Sequence, residues 1–143
     1  MADYFTHFSC MFDVGSAENA ARALAIRQEQ AAAHEEAEGD LGFEVEHDPD
    51  CAAGALWIYS DGYGEPEHVI AFVIACADAF DLIGRWGFTW ALTCSKPRLD
   101  GFGGGAQVID LGQRKSLAWV DCDHWLVSTT ETATGADPQQ SRA

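Results

Sequence analysis

Lysine and arginine are scarce in this chain and missing from its middle. Only 8 of its 143 residues carry them, against 23 aspartates and glutamates, for a net charge of −15. The 57 residues between Arg27 and Arg85 hold none at all. Without basic clusters to neutralise phosphates, direct binding to DNA, RNA or an anionic membrane surface is excluded. Long apolar runs are missing too. The longest, Val69 to Ala77, is too short to span a bilayer. The opening MADYFTHFSCMFDVG has neither the cationic start nor the apolar run of a signal peptide. The five cysteines (Cys10, Cys51, Cys76, Cys94, Cys122) form no C-x-x-C pair and no regular spacing. That argues against a disulfide framework and fits a reducing, cytoplasmic setting.

What the middle of the chain does hold is acid. Between Arg27 and Arg85 stand 14 carboxylates, densest from Glu35 to Asp50. A soluble surface normally mixes both signs, so a one-sign run of this length is either a solubilising face or a surface shaped for a cationic partner. The charge does not signal disorder, because 48% of the residues are apolar and five are tryptophan. The length suits one domain with a real core. We place that domain at residues 1–128, followed by a flexible tail at 129–143 that is rich in threonine, glycine, proline and glutamine.

Periodicity supplies the elements. Residues 4–12, YFTHFSCMF, read as a strand ending at Asp13-Val14-Gly15, after which Ser16 caps a helix from Ala17 to about Glu36. Phe43 to Asp48 alternates strictly, with Phe43, Val45 and His47 on one face and the acids on the other. A further strand, Ala55 to Ser60, leads through Asp61–Pro66 into a second helix. There Val69, Phe72, Val73, Cys76 and Phe80 follow helical spacing, which makes this the buried helix. Phe88 to Cys94 alternates as a strand, and the glycine-rich Leu99–Gly105 reads as a loop. Ala106–Leu111 and Ser116–Val120 form a hairpin, and Asp121 caps a short helix through Trp125 and Leu126. Strand, Gly15, helix recurs as strand, Gly64, helix, at an offset of 49 residues. The expected fold is therefore α+β: a split β-α-β, ferredoxin-like antiparallel sheet with two helices on one face and an added C-terminal hairpin.

No catalytic motif is complete. Cys122-Asp123-His124 offers metal-ligand types, but no second compact pair stands elsewhere, so neither a metal nor another cofactor is expected. Phe102-Gly103-Gly104-Gly105 lacks the Gly-Lys-Ser/Thr ending of a P-loop. His7-Phe8-Ser9 is half of the paired His-x-Ser/Thr motif of two-histidine phosphoesterases, and no second copy exists. The short segment D-G-F-G-G-G-A-Q-V-I-D-L (Asp100 to Leu111) resembles small hypothetical proteins of bacterial mobile elements, a resemblance that implies no activity.

The function expected from charge is a non-enzymatic interaction protein. Its candidate partner-binding residues are Glu35, Glu36, Glu38 and Asp40 at the end of the first helix, and Glu44, Glu46, Asp48 and Asp50 on the strand and turn that follow. Trp57 and Phe102 add exposed aromatic contact. The partner would be a basic protein surface such as the nucleic-acid channel of a defence or regulatory complex. Carboxylates held on a rigid scaffold can engage the lysines and arginines that phosphates would use, as in anti-restriction and anti-CRISPR inhibitors that mimic DNA. The alternative is a small enzyme or ligand-binding domain with a cleft near the Gly101–Gly105 loop, using Asp61, Asp100 or His124.

Overall fold

The computed structural model describes residues 2–35 and 41–132. In order these form β1 (Tyr4–His7), β2 (Ser9–Asp13), α1 (Ala17–Glu35), β3 (Phe43–His47), β4 (Ala55–Ser60), α2 (Pro66–Phe80), β5 (Arg85–Cys94), β6 (Gly103–Asp110), β7 (Lys115–Asp121) and α3 (Cys122–Thr132). The architecture is mixed α+β, with three helices and two antiparallel sheets ordered β2-β4-β3 and β1-β5-β6-β7.

Two sheets replace the single sheet expected, because the strand over residues 4–12 changes partners in mid-course. Tyr4 to His7 pair with Cys94 to Ala91 of β5, whereas Ser9 to Asp13 pair with Tyr59 to Ala55 of β4. Phe8 sits at the switch. Its N–H donates to Ser60 Oγ at 3.0 Å, its carbonyl accepts the Ser60 N–H at 2.9 Å, and its buried ring meets Phe88 edge-on. Both backbone groups are thereby satisfied at the point where neither ladder can serve them.

The helices begin where their caps are. Ser16 Oγ accepts the Asn19 N–H at 3.1 Å, and α1 buries Ala20 and Ala23, whose small side chains let it lie close against α2 and β3. Pro66 occupies the first turn of α2, where its missing N–H costs nothing, and Asp81 ends the helix in the left-handed conformation with its N–H on the Ala77 carbonyl. Val69, Phe72, Val73, Cys76 and Ala77 are fully buried and meet Phe12, Phe43, Leu56 and Ile58 from the three-stranded sheet in one core. Phe88 and Ile109 extend that core into the second sheet.

The glycine-rich stretch also departs from expectation. Gly103 to Gly105 are not loop but the first residues of β6, paired with Leu92 to Trp90. The reason lies in Trp90, whose indole crosses above Gly105 so closely that a Cβ there would stand 2.5 Å from Cζ2. Gly101 and Phe102 remain outside the strand. In the β6–β7 turn, Arg114 donates to the Leu82, Leu111 and Gly112 carbonyls and pairs with Asp81 at 2.9 Å and Asp78 at 3.7 Å. This one side chain ties the hairpin to the end of α2. Asp121 Oδ1 accepts the His124 N–H at 2.9 Å, as a cap should, and α3 runs on to Thr132. The remaining tail residues, 133–143, lie outside the described residues.

All five cysteines are free thiols. Burial pushes Cys10 and Cys76 up to about 12, so neither presents a reactive thiolate at neutral pH. Cys51 and Cys122 are exposed. Titration of the native protein with a thiol reagent should therefore label Cys51 and Cys122 first, and Cys10 and Cys76 only after denaturant is added. Rapid labelling of Cys76 would show that α2 is not packed as described.

Candidate functional site

Alternation on β3 puts Phe43 into the core and turns Glu44 and Glu46 outward. On the neighbouring strand the same rule buries Leu56 and Ile58 and leaves Trp57 and Tyr59 on the outer face. Register then assembles the group: Glu44 stands opposite Tyr59, Glu46 opposite Trp57, and across β4 Ser9 and Met11 stand opposite Tyr59 and Trp57. Trp57 and Tyr59 stack with ring centroids 4.0 Å apart. The indole N–H of Trp57 donates to Ser9 Oγ at 2.8 Å, and the Tyr59 hydroxyl donates to Glu46 Oε2. That bond to a carboxylate, more than any other cause, raises the Tyr59 hydroxyl above its ordinary range.

Glu44 lies 3.8 Å from Arg27, whose guanidinium also donates to the Phe43 carbonyl and covers the Phe43 ring. Glu46, Asp48 and Asp50 make no ion pair among the described residues. The Asp48 carbonyl accepts the Cys51 N–H at 3.1 Å, which fixes the turn on which Asp50 is exposed. β3 is the edge strand of its sheet, so its outward glutamates also guard against pairing with another edge.

Of the ten residues expected at the partner surface, Glu44, Glu46 and Trp57 thus share one face, and Asp48 and Asp50 lie at its end. Glu35 is the last residue of α1, while Glu36, Glu38 and Asp40 fall outside the described residues. Phe102 is half exposed and stands just before β6 of the other sheet, beside the Leu92–Gly103 pair and hence the β1 end of the first strand.

The residues of the alternative reading do not converge. Asp100 accepts a hydrogen bond from the Tyr4 hydroxyl at 3.2 Å and lines a depression of about 380 Å³ with Tyr63 and Gly101. His124 lines a different depression, with Trp119 and Trp125, and Asp61 lines neither. Among the described residues no polar or charged residue is fully buried, and no group of three or more His, Cys, Asp or Glu could hold a metal ion.

Sequence reasoning missed a groove of about 560 Å³ between the first turns of α2 and the strands β5 to β7. Trp90, Gln107 and Trp119 floor it, and Pro66, Glu67 and Ile70 wall it. The signal was present in the alternation of Trp90 and Trp119 on their strands, but only the register Trp90↔Gly105 and Gln107↔Trp119 brings the two indoles to one face. No protein-family model matches the chain, and neither a curated protein nor a solved structure is significantly similar to it.

Proposed function

We propose that this chain is a non-enzymatic interaction protein that presents the outer face of β3 and β4 to a basic protein surface. The basic surface is that of a nucleic-acid-binding complex, which the protein inhibits by offering carboxylates where phosphates would bind. The observation that carries this reading is the cluster of Glu44 and Glu46 beside the stacked Trp57 and Tyr59, with Glu46 held by the Tyr59 hydroxyl. An acid fixed on a strand loses less side-chain entropy on binding than one on a loop, and the indole beside it offers an aromatic face to an incoming guanidinium.

Two finer readings go with it. Counting residues 4–13 as one interrupted strand gives the spatial order β3, β4, β2/β1, β5, which supports a split β-α-β fold with β6 and β7 added at its edge. Five free thiols support a cytoplasmic location.

Charge reversal of Glu35, Glu36, Glu44 and Glu46 to lysine tests the function. A partner captured from bacterial lysate by the wild type should be lost from the variant, whose circular dichroism should be unchanged. It should also be displaced by duplex DNA and released as salt shortens the Debye length from about 10 Å toward about 3 Å. A complex that survives reversal, competitor and salt alike would be held by apolar contacts, and the mimic reading would fall.

A further inference from the structure

Trp90 and Trp119 stand on either side of β6 and turn their indoles to one face of the four-stranded sheet. The Trp90 ring lies across Gly105, where the missing side chain leaves it room. Gln107 follows on the same face of β6 and donates an amide N–H to Ser116 Oγ at 2.6 Å, which holds it in the floor. Above them α2 presents Glu67 and Ile70, neighbours on the helix surface, beside Pro66. Trp119 keeps 65% of its surface exposed although it lines a concavity. The groove of about 560 Å³ is of ordinary size for a small-molecule pocket, with two indoles and only two polar side chains in its lining.

Glu67 is the one charged residue of that lining, and it makes no ion pair among the described residues. No lysine or arginine stands on α2 to neutralise it. A helix start ordinarily favours an anion, but Pro66 has no N–H and the His68 N–H is given to the Glu65 carbonyl at 3.0 Å, so the carboxylate sets the sign. The indole faces act in the same sense, since a cation over the ring is attracted by its quadrupole. A bare ammonium would bring three N–H donors to a lining in which only Glu67 and the Gln107 amide have side-chain oxygens to accept them. A methylated ammonium brings no such demand, and its methyl groups suit Pro66, Ile70 and the two rings.

We infer that this groove binds a small organic cation with a trimethylated ammonium head, seated against Trp90 and Trp119 and balanced by Glu67. A free molecule fits better than a peptide. Extended peptides are held by main-chain hydrogen bonds, whereas β5 and β6 are paired on both sides and Pro66 has no N–H to offer.

Titration of the full chain with choline, at an ionic strength fixed with sodium chloride, tests this. The indole N–H signals of the five tryptophans give the readout, and two of them, those of Trp90 and Trp119, should shift and saturate at about millimolar concentration or below. Neohexyl alcohol keeps the shape of choline without its charge, and ethanolamine keeps the charge without the methyl groups. Each should bind at least about tenfold more weakly. Glu67→Gln and Trp119→Leu, both on the surface and checked for fold by circular dichroism, should each weaken choline by about tenfold. No saturable shift below about 20 mM, either analogue binding as tightly as choline, or both variants binding like the wild type would each overturn the inference. A trimethyllysine peptide that bound more than about tenfold tighter than choline would make the occupant a protein side chain and overturn the assignment of a free ligand.

Discussion

Replacing Phe72 with alanine should cost about 3 to 5 kcal/mol. The ring is fully buried, lies 6.0 Å from the Phe43 ring, and sits among Val69, Val73 and Cys76 at the centre of the core that α2 shares with the three-stranded sheet. Removing it deletes apolar area and leaves a cavity that a helix tied down at both ends cannot close: Pro66 fixes its start, and Asp81 and Arg114 fix its end. Since domains are stable by only about 5 to 15 kcal/mol, this one change would consume a large part of the total. Urea denaturation should show a lower midpoint at an unchanged slope. A loss below about 1 kcal/mol would mean that α2 lies on the surface and that the architecture is wrong.

Gly105→Val should be comparably severe, for the opposite reason. A Cβ at position 105 would stand 2.5 Å from Trp90 Cζ2 on one side and 2.5 Å from the Val120 carbonyl oxygen on the other. The ring alone could swing aside, but the carbonyl belongs to the β6–β7 ladder and cannot move without opening it. Overpacking of a strand between two partners should cost about 3 kcal/mol, at the upper end of the usual range. Gly84→Ala is the control: there φ is +99° and nothing stands within 4 Å, so only backbone strain of about 1 to 2 kcal/mol applies. Hydrogen exchange should show β6 and β7 opening together in Gly105→Val and remaining protected in Gly84→Ala. Equal losses in the two variants would mean that Trp90 does not lie across β6.

These two positions mark what the sequence makes legible and what it does not. Phe72 was readable because an amphipathic helix repeats its apolar residues at a spacing that needs no knowledge of the rest of the chain. The outward pointing of Glu44, Glu46 and Trp57 was readable likewise, from alternation on their own strands. Gly105 was not. Glycine has low strand propensity, and a run of three reads as a loop until the indole that fills the space of the missing side chains is known. The division of the first strand at Phe8 was hidden for a related cause. No glycine or proline interrupts YFTHFSCMF, and the partners that part there lie some fifty and some eighty-five residues further along the chain. Local pattern shows that a segment extends but not with whom. The groove of Trp90 and Trp119 escaped for the same reason, since nothing in either segment tells which strand will lie between them.

The divided strand also sets a timetable for biosynthesis. β2, β3 and β4 need nothing beyond Ser60 to pair, but β1 has no ladder until β5 is made, only the bridge from the Thr6 N–H to the Gly62 carbonyl, and its sheet is incomplete until Asp121. At about 5 to 20 residues per second, the roughly 34 residues from Ser60 to the end of β5 take about 2 to 7 s to synthesise. For those seconds the nascent chain carries one finished sheet joined at Phe8 to an open strand, and any strand-seeking neighbour on the ribosome meets Tyr4 to His7 before β5 does.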